Sequence, residues 1–473
     1  MPDSGALRYE RVANLVQAQI ASGALRPSDR VPSIRAMARG AGVSVSTVVQ
    51  AYVHLEKLGV IESRPQSGFF VRAREQLPAT RQLRRARSAR PRSVAQDVID
   101  AVLDAFLDKD VVPLGCAVPD PQLYPNRRIN ALIRQVLRDS PQHAGEMIVP
   151  PGDANLRREI ARRFATFGAP TPLDDVVITS GAIDAVTLGL GVTCRPGDTV
   201  LVESPTYYAL LQVIEHLGLR VLEVPNHADT GIDVDAVRQA VRGNRLGAAL
   251  LVPNFNNPVG SCTPDDAKRE IVKLLTEKGV PIIEDDVTGD LPLGGPRPRP
   301  MRAFDESGFV ITCGSAAKTV ALGFRVGWAV SSGFAQELKR AKFLASVAAP
   351  TLPQLVLARY FASGGYDRHV RGVRRQLAAN VQAFITSVAE TFPKGTRVAR
   401  PAGGSLLWVE LPTHVDGTEV FRAALARGVG VMPGVVFSAS GRFRNYIRIN
   451  CGVPWSPRIA SAMEKLGRIV ARS

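Results

Sequence analysis

The sequence predicts a multidomain protein: a small N-terminal α+β unit, a larger α/β body on a mainly parallel sheet, and a small C-terminal α+β domain. Three observations predict it. The chain has 473 residues, more than one hydrophobic core organises. Its net charge of +16 is unevenly spread, with +10 falling in residues 1–93. From about residue 94 short apolar runs alternate with helix-length segments, whereas residues 7–72 hold short helical patterns followed by two brief apolar runs. The divisions these imply are 1–72, a linker over 73–93, a large domain over 94–350 and a small one over 351–473.

In the first unit a helix is expected from Tyr9 to about Ser22, where Val12, Leu15, Val16, Gln19 and Ile20 recur at a spacing of three or four and Gly23 stops it. Ser33 is a natural N-cap for a second helix, which Ala41-Gly42-Val43 breaks. Ser44 caps a third, with Val48, Ala51, Tyr52, Leu55 and Leu58 on one face and Gly59 at its end. Val60-Ile61 and Phe69-Phe70-Val71 then flank the turn-rich tip Arg64–Gly68. Two helices across a glycine-containing turn followed by a wing are the pattern of a winged helix-turn-helix, which reads double-stranded DNA through the major groove, although an ordinary small three-helix domain shares it. The candidate contacts are Arg35 and, at the start of the third helix, Ser44, Ser46, Thr47 and Gln50. The stretch Arg72–Ser93 carries eight arginines and one acid, the composition of a flexible basic linker.

The body is expected to build its sheet from Val176–Thr179, Thr199–Glu203, Arg220–Val224, Ala248–Pro253, Pro281–Asp285, Val310–Gly314 and Gly327–Val330. Their near-continuous apolar character suits strands covered on both faces. The tail adds strands at Leu406–Leu411 and Tyr446–Asn450 between helices. Five scattered cysteines without a Cys-x-x-Cys pair, and six separated histidines, suggest a reduced protein without structural metal. With no signal-like N-terminus and no apolar run of membrane-spanning length, a soluble cytoplasmic protein without a membrane partner is expected.

Three fragments are candidates to carry chemistry, although each taken singly is more often structural. Gly314-Ser315-Ala316-Ala317-Lys318 is followed seven residues on by Arg325; a desolvated lysine amine is nucleophilic, and an arginine beside it suits a phosphate. Ile282-Ile283-Glu284-Asp285-Asp286 ends an apolar strand, where a carboxylate enters a ligand crevice, although periodicity leaves Asp285 and Asp286 undecided. Ser180-Gly181-Ala182 follows a strand and opens a helix whose N–H groups can cradle phosphate.

The run VPSIRAMARGAGVSVSTVVQAYVHLEKLGVIESRPQSGFFV resembles the N-terminal domain of the GntR family. From about residue 110 to 460 the Ser-x-x-Lys…Arg-x-Gly stretch, the strand-end Asp and the Asn-Pro-x-Gly of Asn257-Pro258-Val259-Gly260 resemble the fold-type I aminotransferases. The two together are the arrangement of the MocR-type subgroup. That resemblance implies pyridoxal 5′-phosphate (PLP) bound covalently to Lys318. It further implies Asp285 at the pyridinium nitrogen, Asn257 at the ring 3-oxygen and Tyr207 stacked on the ring. Ser180, Gly181, Ala182, Ser315 and Arg325 would hold the phosphate, and Arg448, in Tyr446-Ile-Arg448-Ile-Asn, a substrate or effector carboxylate. A head-to-tail homodimer is also implied.

Two departures stand out. Where the family commonly has Tyr two residues after the ring-nitrogen Asp, this chain has Val287; and Glu146–Gly152 lacks the tyrosine often contributed across the dimer. Three functions follow in order of preference. The first is a PLP-dependent transcription regulator that senses a small amino compound through aldimine exchange at Lys318. The second is an active aminotransferase carrying a DNA-binding domain, whose turnover the two missing hydroxyls disfavour. The third is a DNA-binding regulator that has lost PLP.

Overall fold

The computed structural model describes residues 8–26, 28–58, 60–64, 67–71, 94–139 and 141–473. The expected linker 73–93, the helix-ending Gly59 and Pro65-Gln66 of the wing tip lie outside the described residues. The chain divides into two compact units, Met1–Arg90 and Pro91–Ser473, each taken by itself below.

The first unit comprises α1 (Arg8–Ala21), α2 (Ile34–Ala41), α3 (Val45–Lys57), β1 (Ile61–Arg64) and β2 (Gly68–Val71). Its helix ends are set by the expected residues. Ser33 Oγ accepts from Ala36 N (3.3 Å), and Gly42 closes α2 in the left-handed conformation at φ 64°. Ser44 Oγ accepts from Thr47 N (3.2 Å) at the start of α3. β1 and β2 pair antiparallel with Ile61 opposite Val71. Val12, Val16, Val48, Ala51, Tyr52 and Leu55 form the buried centre. Leu58, expected on the buried face, is instead 51% exposed, because it caps the helix end and leaves the periodic face there.

The second unit is built on an eight-stranded sheet: β3 (Val176–Thr179), β4 (Thr199–Ser204), β5 (Arg220–His227), β6 (Gly231–Ile232), β7 (Ala248–Leu251), β8 (Ile282–Asp285), β9 (Val310–Ser315) and β10 (Gly327–Val330). The spatial order is β3-β10-β9-β8-β7-β4-β5-β6. From β9 through β5 every neighbour is parallel. β10 runs antiparallel between β9 and β3, and β6 returns antiparallel on β5, which extends the expected strand beyond Val224 to His227. Strands β3, β7, β8 and β9 are buried throughout, so their sequences are largely apolar rather than alternating, with β8 closing on the buried acids Glu284 and Asp285.

The C-terminal part folds Arg397–Val398, Leu406–Glu410, Tyr446–Asn450 and Met432–Pro433 into an antiparallel sheet covered by helices Gly365–Thr391, Gly417–Leu425 and Pro457–Val470. Its core takes in Val98, Ile99, Val102, Val112 and Leu114 from upstream of the large sheet. The sequence alone places that stretch with the large domain; in the structure it shares one core with Leu407, Val409 and Val431. Among the described residues no helix is long and apolar enough to cross a membrane.

Candidate cofactor cavity and DNA-reading face

Beside the carboxyl ends of β7, β8 and β9 lies a cavity of about 340 Å³. Ligand crevices in open parallel sheets form at such ends, where loops diverge and backbone groups leave the ladder. Ala182, Tyr207, Asn257, Asp285, Ser315, Lys318 and Arg325 all line it. Ser180, Gly181 and Arg448 do not: Ser180 lines a separate pocket with Arg325, and Arg448 stands behind the lining residue Asn257.

Lys318 Nζ donates to the Ala117 carbonyl at 2.6 Å. Burial, followed by the nearby Arg448 cation, lowers its ammonium pKa to about 8, with Asp285 pulling the other way. Asp285 Oδ1 accepts from Val287 N at 3.0 Å. Burial raises this carboxyl to about 6, and the Val287 N–H opposes that rise. The neighbouring Asp286 is committed elsewhere, paired with Arg297 and accepting from Asn254 Nδ2 at 2.8 Å. Asp285 is therefore the strand-end acid that faces the cavity, the choice that periodicity left open.

Arg325 holds a left-handed backbone at φ 50°, costly for a residue with a Cβ, and its Nη2 donates to the Ser180 carbonyl at 3.2 Å. No carboxylate pairs with it among the described residues. Helix Ala182–Thr193 starts at Gly181 without a side-chain cap, which leaves its first N–H groups for an anion. Gly181 sits at φ 110°, and a Cβ there would stand 2.8 Å from Arg325 Nη2. An amine in a desolvated cavity, a strand-end acid, an arginine without an acid partner and an uncapped helix start fit PLP. Replacing Gly181 with alanine is expected to displace Arg325 and weaken PLP binding about tenfold or more, a loss of at least ~1.4 kcal/mol, measured by equilibrium dialysis of the apo protein.

Arg448 is fully buried and has no acid partner among the described residues. Its Nη1 donates to Asn257 Oδ1 (3.0 Å), its Nη2 donates to the Gly115 carbonyl, and its Nε has no partner. Burial pulls its pKa down. A guanidinium held this way, with no carboxylate paired to it among the described residues, can receive a ligand carboxylate at a fixed distance from Asn257.

Sequence reasoning missed several supports. Lys342, buried on helix Ala335–Ser346, donates to Ser180 Oγ and Asp184 Oδ2, each at 2.7 Å, and so fixes the loop before the helix start. Nothing in the surrounding run Ala335–Ser346 distinguishes this lysine from the exposed ones. Glu203 accepts from Asn256 Nδ2 and Val252 N, both at 3.0 Å, and anchors the loop that carries Asn257. Its burial raises its pKa to about 7. Tyr208 and Cys116 also line the cavity, the first next in sequence to Tyr207.

On the first unit, Arg35, Ser44, Ser46 and Gln50 are exposed and Thr47 half-buried. Ser44 Oγ lies 2.8 Å from both Ser46 Oγ and Thr47 Oγ1, so the three hydroxyls form one cluster at the helix start. Val45 and Val49 stand beside them, 52% and 41% exposed. Aliphatic groups there offer contact to thymine methyls rather than hydrogen bonds to guanine.

Residues 8–71 match the model of bacterial regulatory proteins of the gntR family, and residues 122–456 that of aminotransferase class I and II. The chain belongs to the family that joins these two domains, the MocR-type architecture. An uncharacterised HTH-type transcriptional regulator of Escherichia coli K12, YjiR, is 35% identical over 467 residues, 98% of this chain and 99% of that one. The 2-aminoadipate transaminase of Thermus thermophilus is 31% identical over 362 residues, 76% of this chain and 89% of its own. Among solved structures, kynurenine aminotransferase of Pyrococcus horikoshii superposes with a TM-score of 0.75 at 26% identity, covering 80% of this chain and 94% of that one. In this MocR-type chain Val287 lines the cavity and offers it no hydroxyl.

Proposed function

We propose that the protein is a cytoplasmic transcription regulator that binds DNA through its first unit, holds PLP on Lys318 and responds to a small amino compound at the same cavity. The observation that carries this reading is the convergence of Lys318, Asp285, Asn257, Arg325 and Ser315 on one cavity in a chain that also carries a GntR-type domain. When bound, PLP supplies an aldehyde that reacts with amines and a ring that draws electrons. Lys318 would hold it covalently, Asp285 would face the ring nitrogen, Asn257 the ring oxygen and Tyr207 the ring face. Ser315, Arg325 and the N–H groups at Gly181 and Ala182 would hold its phosphate, the Ser180 N–H being donated to Asp184 Oδ2 at 2.6 Å, and Arg448 would hold the carboxylate of the incoming compound. A compound with different affinities for open and closed forms of the body shifts the spacing of DNA-binding units in a head-to-tail homodimer.

Transamination is the second reading, favoured by the transaminase relative that aligns over 76% of the chain and opposed by Val287. Steady keto-acid production from an amino acid by the purified protein would establish it. The regulatory reading is tested on a duplex selected from a random-sequence pool, with affinity measured with and without a panel of amino acids and amines. A change of about fivefold or more is expected from the effective compound. Affinity that stays constant across the panel would sink it.

A further inference from the structure

The cavity's charged groups are few, and each has a task. Lys318, Asp285 and Arg325 are the charged residues in the described lining, and all three belong to the cofactor in the reading above. Arg448, one layer back, is the cation left for an α-carboxylate. The rest of the wall is largely hydrocarbon. Leu123, Leu291, Val373 and Leu377 pack on one another as a single buried cluster and all face the cavity, with Phe255 and Leu406 on adjoining sides.

Three further arginines, outside the lining, are engaged elsewhere. Arg163 and Arg297 pair with Asp290 at 3.0 and 2.8 Å, Arg297 also holds Asp286, and Arg374 Nε donates to the Asp290 carbonyl at 2.8 Å. None of them lines the cavity. The neutral polar groups are largely engaged as well: Thr288 Oγ1 donates to the Asn254 carbonyl at 3.2 Å, and Asn256 is held between Glu203 and the Val259 N–H. Ser405 adds a hydroxyl, Cys116 a thiol, and the Tyr207 and Tyr208 hydroxyls bond one another.

We infer that the amino compound this cavity accepts carries a bulky uncharged side chain, aliphatic or aromatic, and not a second carboxylate. A side-chain carboxylate placed against the leucine wall would lose its water without gaining a cation or a free N–H. A hydrocarbon side chain of similar length gains by leaving water there. Discrimination then comes from the wall and not from the α-amino acid contacts, which both classes share.

The inference rests on the reading that an amino compound engages PLP at Lys318, and the experiment separates the two. Full-length protein loaded with PLP is titrated with L-leucine, L-phenylalanine, L-glutamate, L-2-aminoadipate and L-alanine, following the cofactor's visible band and the melting temperature. Leucine or phenylalanine is expected to reach half-effect at about tenfold lower concentration or less than either acidic compound, a difference of ~1.4 kcal/mol. Acidic compounds that act at equal or lower concentration overturn the inference while the sensing reading stands. If no compound moves either signal, alanine included, both fall together.

Discussion

Lys318→Ala is expected to abolish the visible band that the protein shows with PLP, while the apo variant melts within about 4 °C of wild type. The amine's one hydrogen bond is to the Ala117 carbonyl, so its removal leaves a single acceptor unpaired beside an open cavity. Wild-type loading also carries a pH signature. A lysine amine attacks only when neutral, and burial with the Arg448 cation lowers this one to about 8. Because the folded value lies below the ordinary 10.5, the neutral form takes over above about pH 8 and not two units higher. The rate of band formation should rise about tenfold per pH unit up to that point and then level. A rate that keeps climbing to pH 10 would show that Lys318 lies in a wetter or less cationic setting than its neighbours imply. A band retained by Lys318→Ala would place the covalent link on another residue.

How much of this was legible in the sequence differs by kind of interaction. Strands β3, β7, β8 and β9 were readable because burial on both faces leaves largely apolar runs without alternation. The caps Ser33 and Ser44 were readable because their chemistry is local, within three residues. Lys318, Asp285, Asn257 and Arg325 stood out as fragments, yet their meeting at one cavity depends on sheet order, which no local pattern encodes. Lys342 and Glu203 were not readable at all, since their partners lie 162 and 53 residues away. The same limit hid the packing of Val98, Val102 and Leu114 into the C-terminal core, a contact across more than three hundred residues of chain. The choice between Asp285 and Asp286 fell to a salt bridge with Arg297, eleven residues on from Asp286, in a stretch without periodicity.

Tyr52→Ala is expected to unfold the DNA-binding unit and leave the cofactor band intact. Tyr52 is fully buried in α3; its ring meets Phe69 edge-on with centroids 5.2 Å apart, and its hydroxyl donates to the Pro32 carbonyl at 2.7 Å. It thus ties the recognition helix both to the wing and to the turn that opens α2. Truncating a buried aromatic to alanine costs about 3–5 kcal/mol, and a core this small supplies about that much in total. Specific DNA binding should therefore disappear at 37 °C, with rapid proteolysis of the first unit. The body has its own cores and is a separate unit, so its PLP band should persist. Tyr52→Phe, which keeps the ring and loses one hydrogen bond, should cost only about 1 kcal/mol and retain binding. Wild-type DNA affinity in Tyr52→Ala would refute the central place given to this side chain. Loss of the band in the same variant would show that the two units depend on each other for folding.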